Sequence, residues 1–274
     1  MVSKAANMID ITNWLIYAGV GALAGVLAGL LGVGGGLVIV PALTFVFTAQ
    51  GLPEQHILHM ALGTSLATII FTSISSVRAH HRRGAVIWRI VWQIAPGIML
   101  GTFLGSWVAA ALSGRFLKGF FVLFLYYVAT QMLLNIKPKP SRETPGLAGM
   151  FLAGNLIGGV SSWVGIGGGS LSVPFMIWAN VPVINAIATS AAIGFPIAIA
   201  GAAGYVSSGW GAGSLPAHSL GFIYLPALIG VALFSMLTAP LGAKLAHSLP
   251  VATVRKIFAL LLALVGTRML ISLF

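Results

Sequence analysis

The sequence predicts an all-α polytopic membrane protein made of two inverted-topology repeats. Each repeat holds about five hydrophobic segments, including short or re-entrant helices after glycine-rich breaks. Three observations predict this class. Of 274 residues, 58% are hydrophobic and 6% are charged. A soluble domain carries about a quarter charged residues, so this chain lacks the polar surface to cover its own core, and lipid must cover it. Apolar blocks of spanning length recur along the chain, and a glycine triplet occurs twice at matching positions.

The blocks run, in order, over 14–31, 36–49, 57–77, 88–111, 115–135, 147–164, 170–181, 183–206, 220–245 and 251–273. A spanning helix needs about 20 residues. Blocks 57–77, 88–111, 115–135, 183–206, 220–245 and 251–273 meet that need. The stretches 36–49 and 170–181 do not, and each follows a glycine triplet. These two are expected to be half-helices or re-entrant segments. Whether 14–31/36–49 and 147–164/170–181 cross fully or turn back is left open. Tryptophans such as Trp14, Trp88, Trp92 and Trp210 lie near block ends and read as interfacial anchors.

Charge gives orientation. The formal net charge is +11, but the basic residues sit in short loops between apolar blocks and never form a long solvated face. Retention of Lys and Arg on the cytoplasmic side explains them better than nucleic-acid binding. The three acidic residues, Asp10, Glu54 and Glu143, lie at or between block ends, so no carboxylate falls inside a candidate span. Absence of cysteine excludes disulfides and thiolate metal sites. The opening MVSKAANMIDITNW runs into apolar sequence without a small-residue cleavage site, so it is expected to be retained. The expected location is the bacterial cytoplasmic (inner) membrane, as a multi-pass protein.

An internal repeat divides the chain. GLLGVGGGLVIVP (29–41) aligns with SSWVGIGGGSLSVP (161–174), Gly34 matching Gly167 at an offset of 133. ALGTSLA (61–67) aligns with AIATSAA (186–192) at an offset of 125, and Gly84 matches Gly209 at the same offset. GRFLKGFFVLF (114–124) aligns with VATVRKIFALL (251–261). The halves are 1–136 and 146–274, joined by a basic cytoplasmic linker over 137–145. Loop 78–89 has four arginines, whereas its counterpart near 207–219 has no Lys or Arg. Inverted halves place Arg78, Arg82, Arg83, Arg89, Lys137, Lys139, Arg142, Lys244, Arg255 and Lys256 in the cytoplasm. Lys4, Arg115, Lys118 and Arg268 then fall outside, with both termini. A parallel arrangement puts five outside and leaves an uncharged loop inside, which fits less well.

The two GxGGG loops, Gly32–Gly36 and Gly165–Gly169, are the strongest local signal. Glycine permits tight turns and close approach. Unwound backbone at membrane depth is tolerated only where protein or a water-filled cavity surrounds it. The first amides of the following short helix lack intrahelical partners and carry the positive dipole end, which suits an anion. Pro41 and Pro174 are expected within the first turns of these helices, where proline does least damage. Against this stands simple close packing of helices through glycine. Broken segments at corresponding positions of two halves favour a binding site. The sign follows from the missing intramembrane carboxylates, since cation sites and proton relays normally use them.

The candidate substrate-binding residues are therefore Gly34, Gly35, Gly36, Gly167, Gly168, Gly169 and Ser170, with the symmetric pairs Thr64/Ser65 and Thr189/Ser190. The Thr and Ser hydroxyls could bond a substrate oxygen or their own helix carbonyls. Ser161, Ser162 and Ser172 add hydroxyls around the second loop alone, which points to an asymmetric site. His56 and His59, three apart, lack a third metal ligand, and His80/His81 belong to a solvated basic loop. Gln93, Asn155 and Asn185 are expected to bond helix to helix. No metal or cofactor is implied.

At GLLGVGGGLVIVP, GIGGGSLSVP and the TS pairs that follow, the chain resembles the TauE/SafE family of membrane proteins. The basic loop within the first half and LGAKLAHSLP (241–250) extend the likeness over nearly the whole length. The resemblance implies export or uptake of sulfite, sulfoacetate or another organosulfonate. The residues themselves reach only "anion". The expected function is a secondary transporter of a small anion working by alternating access, with a channel-like anion pore or a non-transporting membrane subunit as alternatives. An intramembrane enzyme is disfavoured, because HExxH, GxSxG and cysteine are all missing. No GxxxxGKS loop supplies ATP coupling. The expected partners are the small anionic substrate and the bilayer, not nucleic acid, with room for a homo-oligomer.

Overall fold

The computed structural model describes residues 11–31, 35–134, 143–248 and 251–273. Ten helices run in order: α1 (Ile11–Leu31), α2 (Gly36–Ala49), α3 (Glu54–Arg82), α4 (Trp88–Ala111), α5 (Gly114–Leu133), α6 (Leu147–Val164), α7 (Gly169–Trp178), α8 (Val183–Gly209), α9 (Leu225–Ser248) and α10 (Val251–Ile271). Seven of them, α1, α3, α4, α5, α6, α8 and α9, are long and apolar enough to cross a membrane. The chain is a multi-pass α-helical membrane protein.

The two segments after the glycine triplets form the short helices expected of them, with 14 residues in α2 and 10 in α7. At about 1.5 Å per residue neither reaches across a hydrocarbon core of about 30 Å. Pro41 and Pro174 are each the sixth residue of their helix, beyond the first turn. Each removes the N–H that would otherwise bond the carbonyl four residues back, Leu37 or Ser170.

The expected block at 220–245 is a span but begins later than its composition suggests. Residues 220–224 do not begin a span. They form an antiparallel hairpin, β1 (Ser219–Leu220) with β2 (Ile223–Tyr224), and the helix starts at Leu225. Gly221 turns it at φ 54°, and protein groups satisfy its buried backbone. Phe222 N–H donates to the Tyr205 carbonyl at 3.1 Å. The pull of these acceptors overrides a composition that reads as helix.

Packing is set by small residues. The most extensive contacts are α1 with α9 and α4 with α6. Gly97, Gly101 and Gly105 of α4 lie against the backbone of Phe151, Asn155 and Gly159 in α6. Residue numbers rise together, so the helices run parallel. Gly21 and Gly25 of α1 meet Val231 and Ser235 of α9 in the same sense. Without a hydrophobic drive between lipid-immersed helices, such backbone contact is a main source of adhesion.

Two other pairs run antiparallel. Gly63 of α3 faces Tyr205 of α8, and Leu66 faces Gly201. Along α5 and α10, Lys118 Nζ donates to the Ser272 carbonyl and Tyr126 Oη meets Thr267 Oγ1 at 2.8 Å. Helix α3 is the central element, with Met60, Ala61, Leu62, Thr64, Ser65 and Leu66 all fully buried. Around it the outer helices expose apolar side chains such as Leu15, Leu123, Leu156 and Leu264, and the belt residues Trp92 and Trp210.

Candidate functional site

The glycines immediately before the two short helices have the same local geometry. Gly35 precedes α2 at φ 72°, ψ −19°, and Gly168 precedes α7 at φ 79°, ψ −9°. Only glycine adopts this left-handed backbone without strain. In the first break the Gly35 carbonyl accepts from Val38 and Ile39 N–H at 3.0 and 3.1 Å. In the second, the Gly168 carbonyl accepts from Leu171 and Ser172 N–H at 3.0 and 2.8 Å. The next amides, Gly36 and Leu37 in one helix and Gly169 and Ser170 in the other, have no acceptor among the described residues. Helix starts of this kind carry donors and partial positive charge.

The breaks converge. A Cβ on Gly36 would collide with the Gly165 carbonyl, so only a hydrogen fits between the first helix start and the second loop. Gly165 ends α6 at φ 67°, ψ 37°, and the Ser161 carbonyl accepts its N–H at 2.8 Å. Val40 of α2 and Leu62 of α3 cover Gly165, while Ile197 of α8 covers Gly168. Ser65 Oγ donates to the Gly165 carbonyl at 2.8 Å. The second loop is thus enclosed by α2, α3, α6 and α8, which satisfies the requirement that unwound backbone be lined by protein.

Two hydroxyls in this enclosure stand without partners. Ser161 Oγ, on the last turn of α6, and Ser170 Oγ, on the first turn of α7, are buried with no hydrogen-bond partner. Ser161 Oγ would lie 3.8 Å from a Cβ on Gly168. Buried hydroxyls are normally bonded, and each orphan asks for an explanation. The neighbouring serines are committed: Ser172 Oγ donates to the Gly168 carbonyl at 2.9 Å and Ser162 Oγ to Gly159 at 2.7 Å.

The remaining candidates divide. Gly34 lies outside the described residues. Gly167 packs its carbonyl against Gly194 of α8. Ser190 Oγ donates to the Ile187 carbonyl of its own helix at 2.9 Å. Thr64 and Thr189 have a role that the sequence did not indicate: each hydroxyl accepts the N–H of the residue just before a distant helix. Tyr224 N–H reaches Thr64 Oγ1, and Ile87 N–H reaches Thr189 Oγ1, both at 3.0 Å. Asn185 adds a bond to the Ala85 carbonyl at 2.9 Å. The position of Thr64 and Thr189 in the repeat was legible; their partners were not.

His59 faces backbone carbonyls. His59 Nδ1 and Nε2 lie 3.2 and 3.1 Å from the Gln55 and Ala109 carbonyls. Among the described residues no three His, Cys, Asp or Glu side chains gather around one point.

A bundle of apolar spans enclosing short helices that start at glycine turns is the architecture found in membrane transporters. The particular family follows from comparison. The model of the family described as "Sulfite exporter TauE/SafE" matches residues 17–269, and the chain belongs to that family. It is 42% identical over 255 residues to a "Probable membrane transporter protein" of Haemophilus influenzae, covering 92% of this chain and 96% of that one. It is 28% identical to probable membrane transporter protein YunE of Bacillus subtilis, covering 94% and 97%. A probable membrane transporter protein of Methanocaldococcus jannaschii is likewise 28% identical, covering 92% and 93%. No solved structure matches significantly. The protein is a membrane transporter, not an enzyme.

Proposed function

We propose that this transporter carries a small sulfur-containing anion, such as sulfite, sulfoacetate or another organosulfonate, by alternating access, and that it binds the anion at the converged glycine breaks. The observation that carries this is the pairing of unbonded amides at Gly169 and Ser170 with the orphan hydroxyls of Ser161 and Ser170. All are hydrogen-bond donors beside a positive helix end, the arrangement an oxyanion needs. The carboxylates among the described residues, Glu54 and Glu143, lie at helix ends or in a loop, away from this point. The site favours an anion without a fixed counter-charge, so the empty carrier can reorient in lipid. Sulfur chemistry is supported by the family description.

Inverted halves belong to the same proposal. Their support is that matching helices run oppositely, α3 against α8 and α5 against α10. Exchanging the halves also converts the α1–α9 contact into the α6–α4 contact, the two most extensive in the bundle. Two inverted halves around a central site provide the rocking that alternating access requires.

Counterflow of labelled sulfite, sulfoacetate and taurine in proteoliposomes tests the substrate. Saturable exchange of one anion, driven by its own gradient without ATP, is the expected result. Non-saturating flux would mark a pore, and absence of exchange for all three would overturn the assignment.

A further inference from the structure

The end of α3 away from its Arg78–Arg83 segment opens into a cavity of about 430 Å³. It is lined by Thr44 and Thr48 of α2, Glu54, Gln55 and Leu58 of α3, and Arg115 and Lys118 of α5, with Ser272 closing one side. Two cations lining one cavity at this face need a reason. Positive residues are disfavoured on the outer side, and under the charge assignment only four of fourteen Lys and Arg lie there. Two of those four are Arg115 and Lys118.

The cavity floor points to their use. Leu58 and Leu62 are one turn apart on α3, as are Thr44 and Val40 on α2. Leu62 and Val40 are the side chains that cover Gly165. The floor therefore lies about one helical pitch, 5–6 Å, from the wall of the second glycine break. Thr44 and Thr48 spend their hydroxyl protons on the Val40 and Thr44 carbonyls. The charged donors for a ligand are Arg115 and Lys118, the latter giving one of its hydrogens to the Ser272 carbonyl, while the Gln55 amide meets His56 Nε2. Glu54 is the opposing charge and leaves the lining at net +1.

We infer that this cavity is the outer vestibule of the transport path, a low-affinity site for a small oxyanion held by Arg115 and Lys118. The Val40, Leu58 and Leu62 side chains form the apolar barrier between it and the central site. This rests on the anion-transport reading above.

The chain has no cysteine, so Thr48→Cys supplies a single thiol in the cavity. In right-side-out vesicles, an anionic reagent (2-sulfonatoethyl methanethiosulfonate) should label it faster than the cationic trimethylammonium analogue. The ratio of the two rates should fall about tenfold in the R115Q/K118Q background, as expected for loss of two nearby charges partly screened by salt. R115K/K118R should keep the ratio and E54Q should raise it. An unchanged ratio in R115Q/K118Q, or labelling from the opposite face alone, overturns the vestibule. Sulfite counterflow separates the two levels. If Thr48→Cys shows the labelling preference but the wild type carries no sulfite, the substrate assignment fails and the vestibule stands. If it carries sulfite and R115Q/K118Q has an unchanged outer half-saturation concentration, the vestibule has no part in transport.

Discussion

Thr64 Oγ1 accepts the backbone N–H of Tyr224 at 3.0 Å, across 160 residues of sequence. Its repeat partner Thr189 does the same for Ile87. Each threonine ties the residue before a long helix, α9 or α4, to the central helix of the other half. The bond satisfies an N–H that the following helix cannot serve, because that N–H lies before the helix begins.

Thr64→Val and Thr189→Val should each cost about 1–3 kcal/mol of stability, the penalty for a buried donor left unbonded. Thr64→Ser keeps the acceptor and should lose much less. Thermal unfolding of the purified variants in detergent measures this. Valine variants as stable as the parent would show that the bond is dispensable. A fall in sulfite affinity in the folded valine variants would place the hydroxyls in contact with substrate as well.

Gly35→Val and Gly168→Val should abolish sulfite binding. Both positions sit in the left-handed region, where a β-branched residue is strained. Gly168 also lies against Ile197. Gly168→Asn tolerates the backbone better and should retain more folded protein. Folded Gly168→Val protein with parental affinity in calorimetry would defeat the central-site assignment.

Ser161→Ala and Ser170→Ala break no hydrogen bond in this structure, so stability should change little. Sulfite affinity should fall about ten- to a hundredfold for each hydroxyl that bonds the anion, since a hydrogen bond to a charged group contributes about 1.5–3 kcal/mol. Parental affinity in the double variant would remove both from the site.

Topology can be read directly in a chain without cysteine. Single cysteines at positions 82 and 213 should label from opposite sides, 82 from the cytoplasm and 213 from outside. Labelling of both from one side would rule out inverted halves.

The helical fold was legible because its causes are local. Alternating apolar blocks and charged loops mark where helices enter and leave lipid, and the blocks at 36–49 and 170–181 fall on α2 and α7. Successive glycines weaken a helix locally, so the breaks before Gly36 and Gly169 were legible without tertiary information. The recurring motifs GVGGG and GIGGG are plain in the sequence itself.

Contacts between distant segments were decided only by tertiary structure. Residues 220–224 have the composition of a helix and form a hairpin because Tyr205 and Thr64 supply acceptors for Phe222 and Tyr224. Thr64, Ser65, Thr189 and Ser190 look equivalent in sequence. Packing gives Ser65 the Gly165 carbonyl, Ser190 a carbonyl of its own helix, and the threonines a neighbouring helix start. Ser161 and Ser172 are likewise indistinguishable in composition, yet one hydroxyl is orphaned and the other bonded. A hydroxyl takes whichever acceptor the packed backbone brings within about 3 Å, and no local pattern encodes that.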